Sequence, residues 1–161
     1  MANEPIQAHY ADELSHCYGC GRLNPEGLHI ESHWDGKESV CTYTPRSEHI
    51  AVPGFVYGGL LASLIDCHGT GTAAAAMASH LGLPIDKAPL PRFVTGTLTV
   101  RFLHPTPLGV PLTVHGRPIA ISGRKVTVAA TIVAEGKLCV EGEVVALQLR
   151  GKDEESVSAV R

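Results

Sequence analysis

The residues best suited to chemistry fall in one stretch, Pro53-Gly54-Phe55-Val56-Tyr57-Gly58-Gly59-Leu60-Leu61-Ala62-Ser63-Leu64-Ile65-Asp66. Asp66 is a lone carboxylate in apolar company, and an acid so placed either finds a partner or does chemistry. Gly58 and Gly59 sit where a helix would begin. First-turn N–H groups there are free and carry partial positive charge, and the missing Cβ lets a ligand approach the backbone. Tyr57 beside them can donate a phenol hydrogen bond or pack as an amphipathic aromatic. His49 is the nearest polar residue upstream that could assist. Thr95 and Thr97 share a strand face by two-residue periodicity, with Thr95 the candidate site hydroxyl. The plainer reading of Asp66 is a structural acid bonded to a nearby hydroxyl such as Thr70. His68, two residues on, faces another side of the helix and reads as a core histidine.

These residues need a scaffold. The Pro53-Gly54 turn opens an apolar run that reaches about His80, with no proline between Tyr57 and Gly82. It is rich in Ala and Leu and predicts one helix of about 20 residues. Gly69 and Gly71 each cost that helix about 1 kcal/mol, so they predict close approach of another backbone, and the alanines at 73–76 leave room at its end. Before the helix, residues 28–34 and 39–44 read as a hairpin across Asp35-Gly36. After it, Pro84, Pro89 and Pro91 impose a loop. Residues 93–103, 112–121, 125–134 and 138–149 then read as four strands, with turns at Ser122-Gly123 and Glu135-Gly136. Two strands, one long helix and four strands predict an α+β domain, its six-stranded antiparallel sheet wrapped around a central helix. Val94, Leu98, Val100, Phe102, Val126, Val128 and Ile132 are the expected helix-facing positions. Residues 1–15 are expected as a flexible arm, 16–150 as one domain and 151–161 as a flexible tail.

Composition narrows the functional classes. The chain has 161 residues, 44% hydrophobic and 18% charged, which excludes a wholly disordered protein. A formal charge of −3 and a pI near 6.3 argue against general nucleic-acid binding. No apolar run is long enough for a membrane span, and the N-terminus lacks signal-peptide features. Five cysteines without a disulfide framework suggest a reducing, cytoplasmic setting. Cys17 and Cys20 form a CxxC, yet Cys41, Cys67 and Cys139 are scattered singly and a structural zinc needs four ligands. The spacing therefore favours packing over a metal or redox role.

Several segments together resemble the hotdog-fold acyl-CoA thioesterases, most closely the phenylacetate-pathway type. They are Tyr57-Gly58-Gly59 with Leu61-Ala62-Ser63-Leu64-Ile65-Asp66, Cys17-Tyr18-Gly19-Cys20-Gly21 with Asn24-Pro25-Glu26-Gly27-Leu28, the 94–109 segment, and Gly123-Arg124-Lys125. The resemblance covers roughly residues 16–149. It implies a dimer with two interface sites, acyl-CoA as substrate, and no metal or redox cofactor. Coenzyme A would enter only as part of the substrate. It implies Asp66 as general base or nucleophile, Gly58 as the N–H donor to the thioester carbonyl, and Thr95 as an assisting hydroxyl. Two departures stand out. Tyr57 replaces the family's usual histidine, and the region Glu48-His49-Ile50-Ala51-Val52 lacks the usual amide, leaving His49 as substitute.

The chemistry constrains assembly. Asp66 lies about 12 Å beyond Gly58 along a helix, at 1.5 Å per residue. One carbonyl cannot meet both groups of the same helix, so an active site here requires Asp66 from a second, antiparallel chain. A homodimer is expected, with a homotetramer as an open alternative. Arg92, Arg101, Arg124 and Lys125 are candidates to rim the entrance for the phosphates of coenzyme A. Two alternatives remain: a hotdog hydroxyacyl-thioester dehydratase or hydratase using His49 ahead of Pro53-Gly54, and a non-catalytic acyl-CoA binder. Water loss, thiol release, or saturable binding without thiol release separates the three.

Overall fold

The computed structural model describes residues 4–87 and 89–151. One helix, α1 (Gly58–His80), accompanies six strands: β1 (His33–Trp34), β2 (Ser39–Tyr43), β3 (Phe93–Phe102), β4 (Leu112–Ser122), β5 (Lys125–Ala134) and β6 (Lys137–Gln148). They form one antiparallel sheet in the order β1-β2-β4-β5-β6-β3. Glu135 and Gly136 both have positive φ, as a two-residue turn matched to strand twist requires. The sheet wraps α1, and the predicted hotdog architecture is the observed one.

Burial explains why α1 is apolar nearly all round. Every residue from 67 to 78 is buried, as expected of a helix enclosed on all sides. Leu64 and Ile65 share a fully buried core with Val126, Val128, Ile132, Val140 and Val144. Each such side chain contributes about 1.5–3 kcal/mol by leaving water. The first half of α1 differs. Gly59, Ala62, Ser63 and Asp66 are only half-buried, and their three- and four-residue spacing puts them on one face. That face is the helix's open stripe.

Several expectations need correction. Residues 4–15 are no loose arm: Ile6–His9 and Asp12–Leu14 form 3-10 turns, and Ile6, Gln7 and Tyr10 are buried. The Ile6 amide donates to Ser32 O at 2.7 Å and the Leu90 amide to His9 O at 2.9 Å. The expected C-terminal tail beyond Gly151 lies outside the described residues. The first strand shrinks to two residues because the amides of Leu28 and Ile30 bond back to the carbonyls of Tyr18 and Gly19.

β3 also departs from simple alternation. Its register against β6 slips between Thr95 and Thr97, leaving Gly96 as a bulge. Thr95 pairs with buried Ala146, whereas Thr97 pairs with Val145, so the two threonines face opposite ways. Val94, opposite Leu147, points away from the helix, while Leu98, Val100 and Phe102 stay on the helix side. Val94, Leu98 and Phe102 are exposed nonetheless, because β3 is the sheet's edge. Gly69 admits the Val144 side chain rather than a second backbone, and Gly71 lies against Gln7. The alanines at 73–76 are buried in the core. Among the described residues no helix is long and apolar enough to cross a membrane.

Candidate active site

The approach to α1 is clamped on two sides. The Tyr57 amide donates to His49 O at 2.8 Å, and the Val56 amide to Thr106 O at 2.9 Å. This fixes the helix start beside the segment leaving β3. Tyr57 is the N-cap and provides no side-chain cap, and Leu60 N and Leu61 N both turn to Tyr57 O. The Gly58 and Gly59 amides consequently have no acceptor among the described residues. A Cβ on Gly59 would fall 2.3–2.5 Å from the Tyr57 ring and hydroxyl. The second glycine is therefore small to admit Tyr57, whose ring lies across the helix mouth. A Cβ on Gly58 would meet only the Phe102 ring, at 3.5 Å.

Those amides open onto a cleft of about 470 Å³ whose walls include Val52, Phe55, Leu61, Phe102 and His104 beside Gly58 itself. The walls are mainly apolar, as in most small-molecule sites. None of these lining residues except Gly58 was singled out from the sequence as part of the site. Their signal was faint: Val52, Phe55 and Phe102 are large exposed hydrophobics, a property spacing does not reveal.

Asp66 lies on the open stripe and accepts a hydrogen bond from Thr95 Oγ1. Thr70, the structural partner considered for it, donates instead to Cys67 O at 3.1 Å. The structure thus brings Asp66 and Thr95 together and holds Gly58, Gly59 and Tyr57 together, two clusters separated along one helix. His49 belongs with the second through its backbone. Its ring Nδ1 accepts from the Arg46 amide at 3.0 Å, and burial, helped by the Arg46 charge, pulls its pKa below the ordinary histidine range. His68 is wholly buried between Ser32 Oγ at 2.8 Å and Ser39 Oγ at 3.0 Å, so it is a core residue.

The four cations part company. Arg101 is exposed, paired with Glu141 at 3.1 Å, and adjoins the cleft residue Phe102. Arg124 and Lys125 occupy the β4–β5 hairpin, where Lys125 and Val94 both pair with Leu147. That end of the sheet is the Asp66–Thr95 end. Arg92 does not rim the cleft. Its guanidinium covers the Tyr10 ring at 4.8 Å and reaches Phe93 O and Cys20 Sγ, some 30 Å of strand from Phe102 at about 3.3 Å per residue.

Against this geometry the comparisons with known proteins are consistent. Residues 53–147 match the thioesterase superfamily, and the chain belongs to that family. It is 40% identical to a thioesterase superfamily protein of Shewanella loihica PV-4, covering 88% of this chain and all of that one, with a TM-score of 0.66. It is 27% identical to the acyl-coenzyme A thioesterase THEM4 of Xenopus laevis over 71% of its own length and 46% of the relative's. The chain thus spans about half of that relative. PaaI, from the phenylacetic acid degradation operon of E. coli, shares the fold at 21% identity and a TM-score of 0.60, over 77% of this chain and 82% of that one.

Proposed function

We propose that the protein is an acyl-CoA thioesterase hydrolysing its substrate to a carboxylic acid and free coenzyme A. The observation that carries the reading is the open stripe of an otherwise enclosed helix, with free glycine amides at its tip and a hydroxyl-bound carboxylate further along. The thioester oxygen would accept from the Gly58 amide, whose positive helix end stabilises the developing oxyanion; one such donor is worth about 3 kcal/mol. Asp66 would take a proton from water as it attacks the carbonyl carbon, or attack directly as nucleophile, with Thr95 fixing its orientation. The C–S bond then breaks and the coenzyme A thiolate takes up a proton. The hydrolytic step needs no redox cofactor.

The two clusters belong to different chains in this reading. The eight-residue separation of Gly58 and Asp66 supports a site shared across a homodimer, as do the exposed apolar side chains of Leu98, Phe102 and Tyr57 on the helix's side of the sheet edge. Arg101 from one chain and Arg124 and Lys125 from the other are the cations proposed to meet coenzyme A phosphates. The dehydratase alternative loses support because His49 Nδ1 is occupied by the Arg46 amide.

Asp66→Asn tests the proposal. Thiol release from acyl-CoA is expected to fall roughly 10²–10⁴-fold, the usual worth of a positioned base, with unchanged circular dichroism. Turnover within a few-fold of the unsubstituted protein would remove Asp66 from the reaction. Saturable acyl-CoA binding without thiol release in the unsubstituted protein would replace the enzyme with a binder.

A further inference from the structure

A second cluster of reactive side chains lies on the other side of α1's Asp66 turn. Cys67 is buried against the Cys17–Cys20 loop, and the Sγ atoms of Cys17, Cys20 and Cys67 all lie within 4.8 Å of one another. Cys17 Sγ and Cys67 Sγ are 3.9 Å apart. That distance is far beyond the roughly 2.05 Å of a disulfide. It matches the separation of about 3.8 Å between two sulfurs each about 2.3 Å from a tetrahedral zinc.

The loop is shaped around these sulfurs. A Cβ on Gly19 would fall 2.2 Å from Cys67 Sγ, and one on Gly21 would fall 2.4–2.6 Å from the backbone of His16 and Cys17. Neither glycine has a positive φ, so both are small for space, keeping side-chain bulk away from the sulfur triad and its loop. The surroundings also carry a charge that asks for compensation. Arg92, half-buried, places Nη2 3.8 Å from Cys20 Sγ and has no carboxylate partner among the described residues. Beneath the guanidinium lies the Tyr10 ring, whose buried hydroxyl has no hydrogen-bond partner among the described residues.

We propose that Cys17, Cys20 and Cys67 form a zinc site, clipping the N-terminal loop to the helix one residue beyond Asp66. Three thiolates and one divalent ion sum to −1, and Arg92 brings that to zero. This is how a buried ionic group becomes tolerable. Cys17 is only half-buried, so a fourth ligand, water or a small thiol, would reach the ion from its side. Zinc fits better than harder cations because the donors are all sulfur. The site does not touch the proposed acyl cleft and does not depend on the thioesterase reading; its role is to hold the carboxylate-bearing turn in place.

The test uses the full chain, expressed without a histidine tag in zinc-supplemented medium. Elemental analysis should find about one zinc per chain, and cobalt exchanged into the protein should give the sulfur-to-metal charge-transfer band of a thiolate site. Cys17→Ser and Cys67→Ser should lose both signals while keeping the circular dichroism of the parent, and Cys139→Ala should keep both. Zinc well below one equivalent together with no cobalt–sulfur band in the unsubstituted chain would overturn the proposal. So would intact-mass evidence of a disulfide among these three cysteines in protein purified with its thiols protected. If Cys67→Ser fails to fold, Cys17→Ser, at the half-exposed sulfur, decides alone.

Discussion

Single side chains do separate jobs along α1, and their neighbours determine which. Asp66 and His68 are two residues apart, yet one opens onto the accessible stripe and the other is sealed inside the core. Burial, against the opposing effect of the Ser39 hydrogen bond and with a smaller push from His115, drives the His68 pKa down to about 4 from 6.5. The folded protein therefore refuses a proton that the unfolded chain accepts. Stability attributable to neutral His68 is complete above about pH 6.5 and is lost as pH falls toward 4, to a total of roughly 3 kcal/mol. Urea midpoints measured between about pH 7 and pH 4.5 should fall steeply for the parent and less steeply for His68→Gln, which starts lower because Ser32 and Ser39 lose good partners. Equal slopes would assign the acid sensitivity to other groups.

Among the elements, α1 matters most for its first turn, where Tyr57 has extended backbone angles (φ −57°, ψ 128°). A residue so disposed can precede proline, and proline is well tolerated at the first helical position. Gly58→Pro thus deletes one N–H while keeping the helix. If that amide is the oxyanion donor, turnover should drop about 10²-fold or more, with a melting temperature near the parent's. Unchanged turnover would shift the role to Gly59 or to the Tyr57 phenol. How much of this was legible in the sequence follows from the same elements. The helix and β3–β6 were readable because long apolar or β-branched runs end at Pro and Gly. The packed 4–15 segment was not, since two short 3-10 turns have no periodicity to detect. The Gly96 bulge was hidden too, and with it the opposite facing of Thr95 and Thr97. Cys67 looked solitary because its distance from Cys17 along the chain says nothing about their contact through the fold. Asp66 and Gly58 were singled out by chemical type; the resemblance implied Thr95 only as an assisting hydroxyl, and its bond to Asp66 needed the sheet to be seen.

For the whole molecule, the proposed division of each site between two chains has a direct consequence. Asp66→Asn and Gly58→Pro chains would each be inactive alone. Mixed and reassembled at random, half the dimers would carry one of each, and each such dimer would have one intact site of two. Recovery of about one quarter of parental activity is expected from that two-fold arithmetic. No recovery, in a mixture whose mixed dimers are verified by mass, would mean that both groups act within one chain.

The extra residue in β3 has a further implication for anyone redesigning this protein. Because a sheet face is set by parity, Gly96 works as a phase shifter: upstream of it Thr95 is aimed inward by one count, and downstream Leu98, Val100 and Phe102 are aimed inward by the other. Loss of that single glycine would force either the carboxylate's hydroxyl partner or the whole apolar row to turn outward. The most exchangeable-looking residue of the strand is thus the one that lets polar and greasy halves serve the same side.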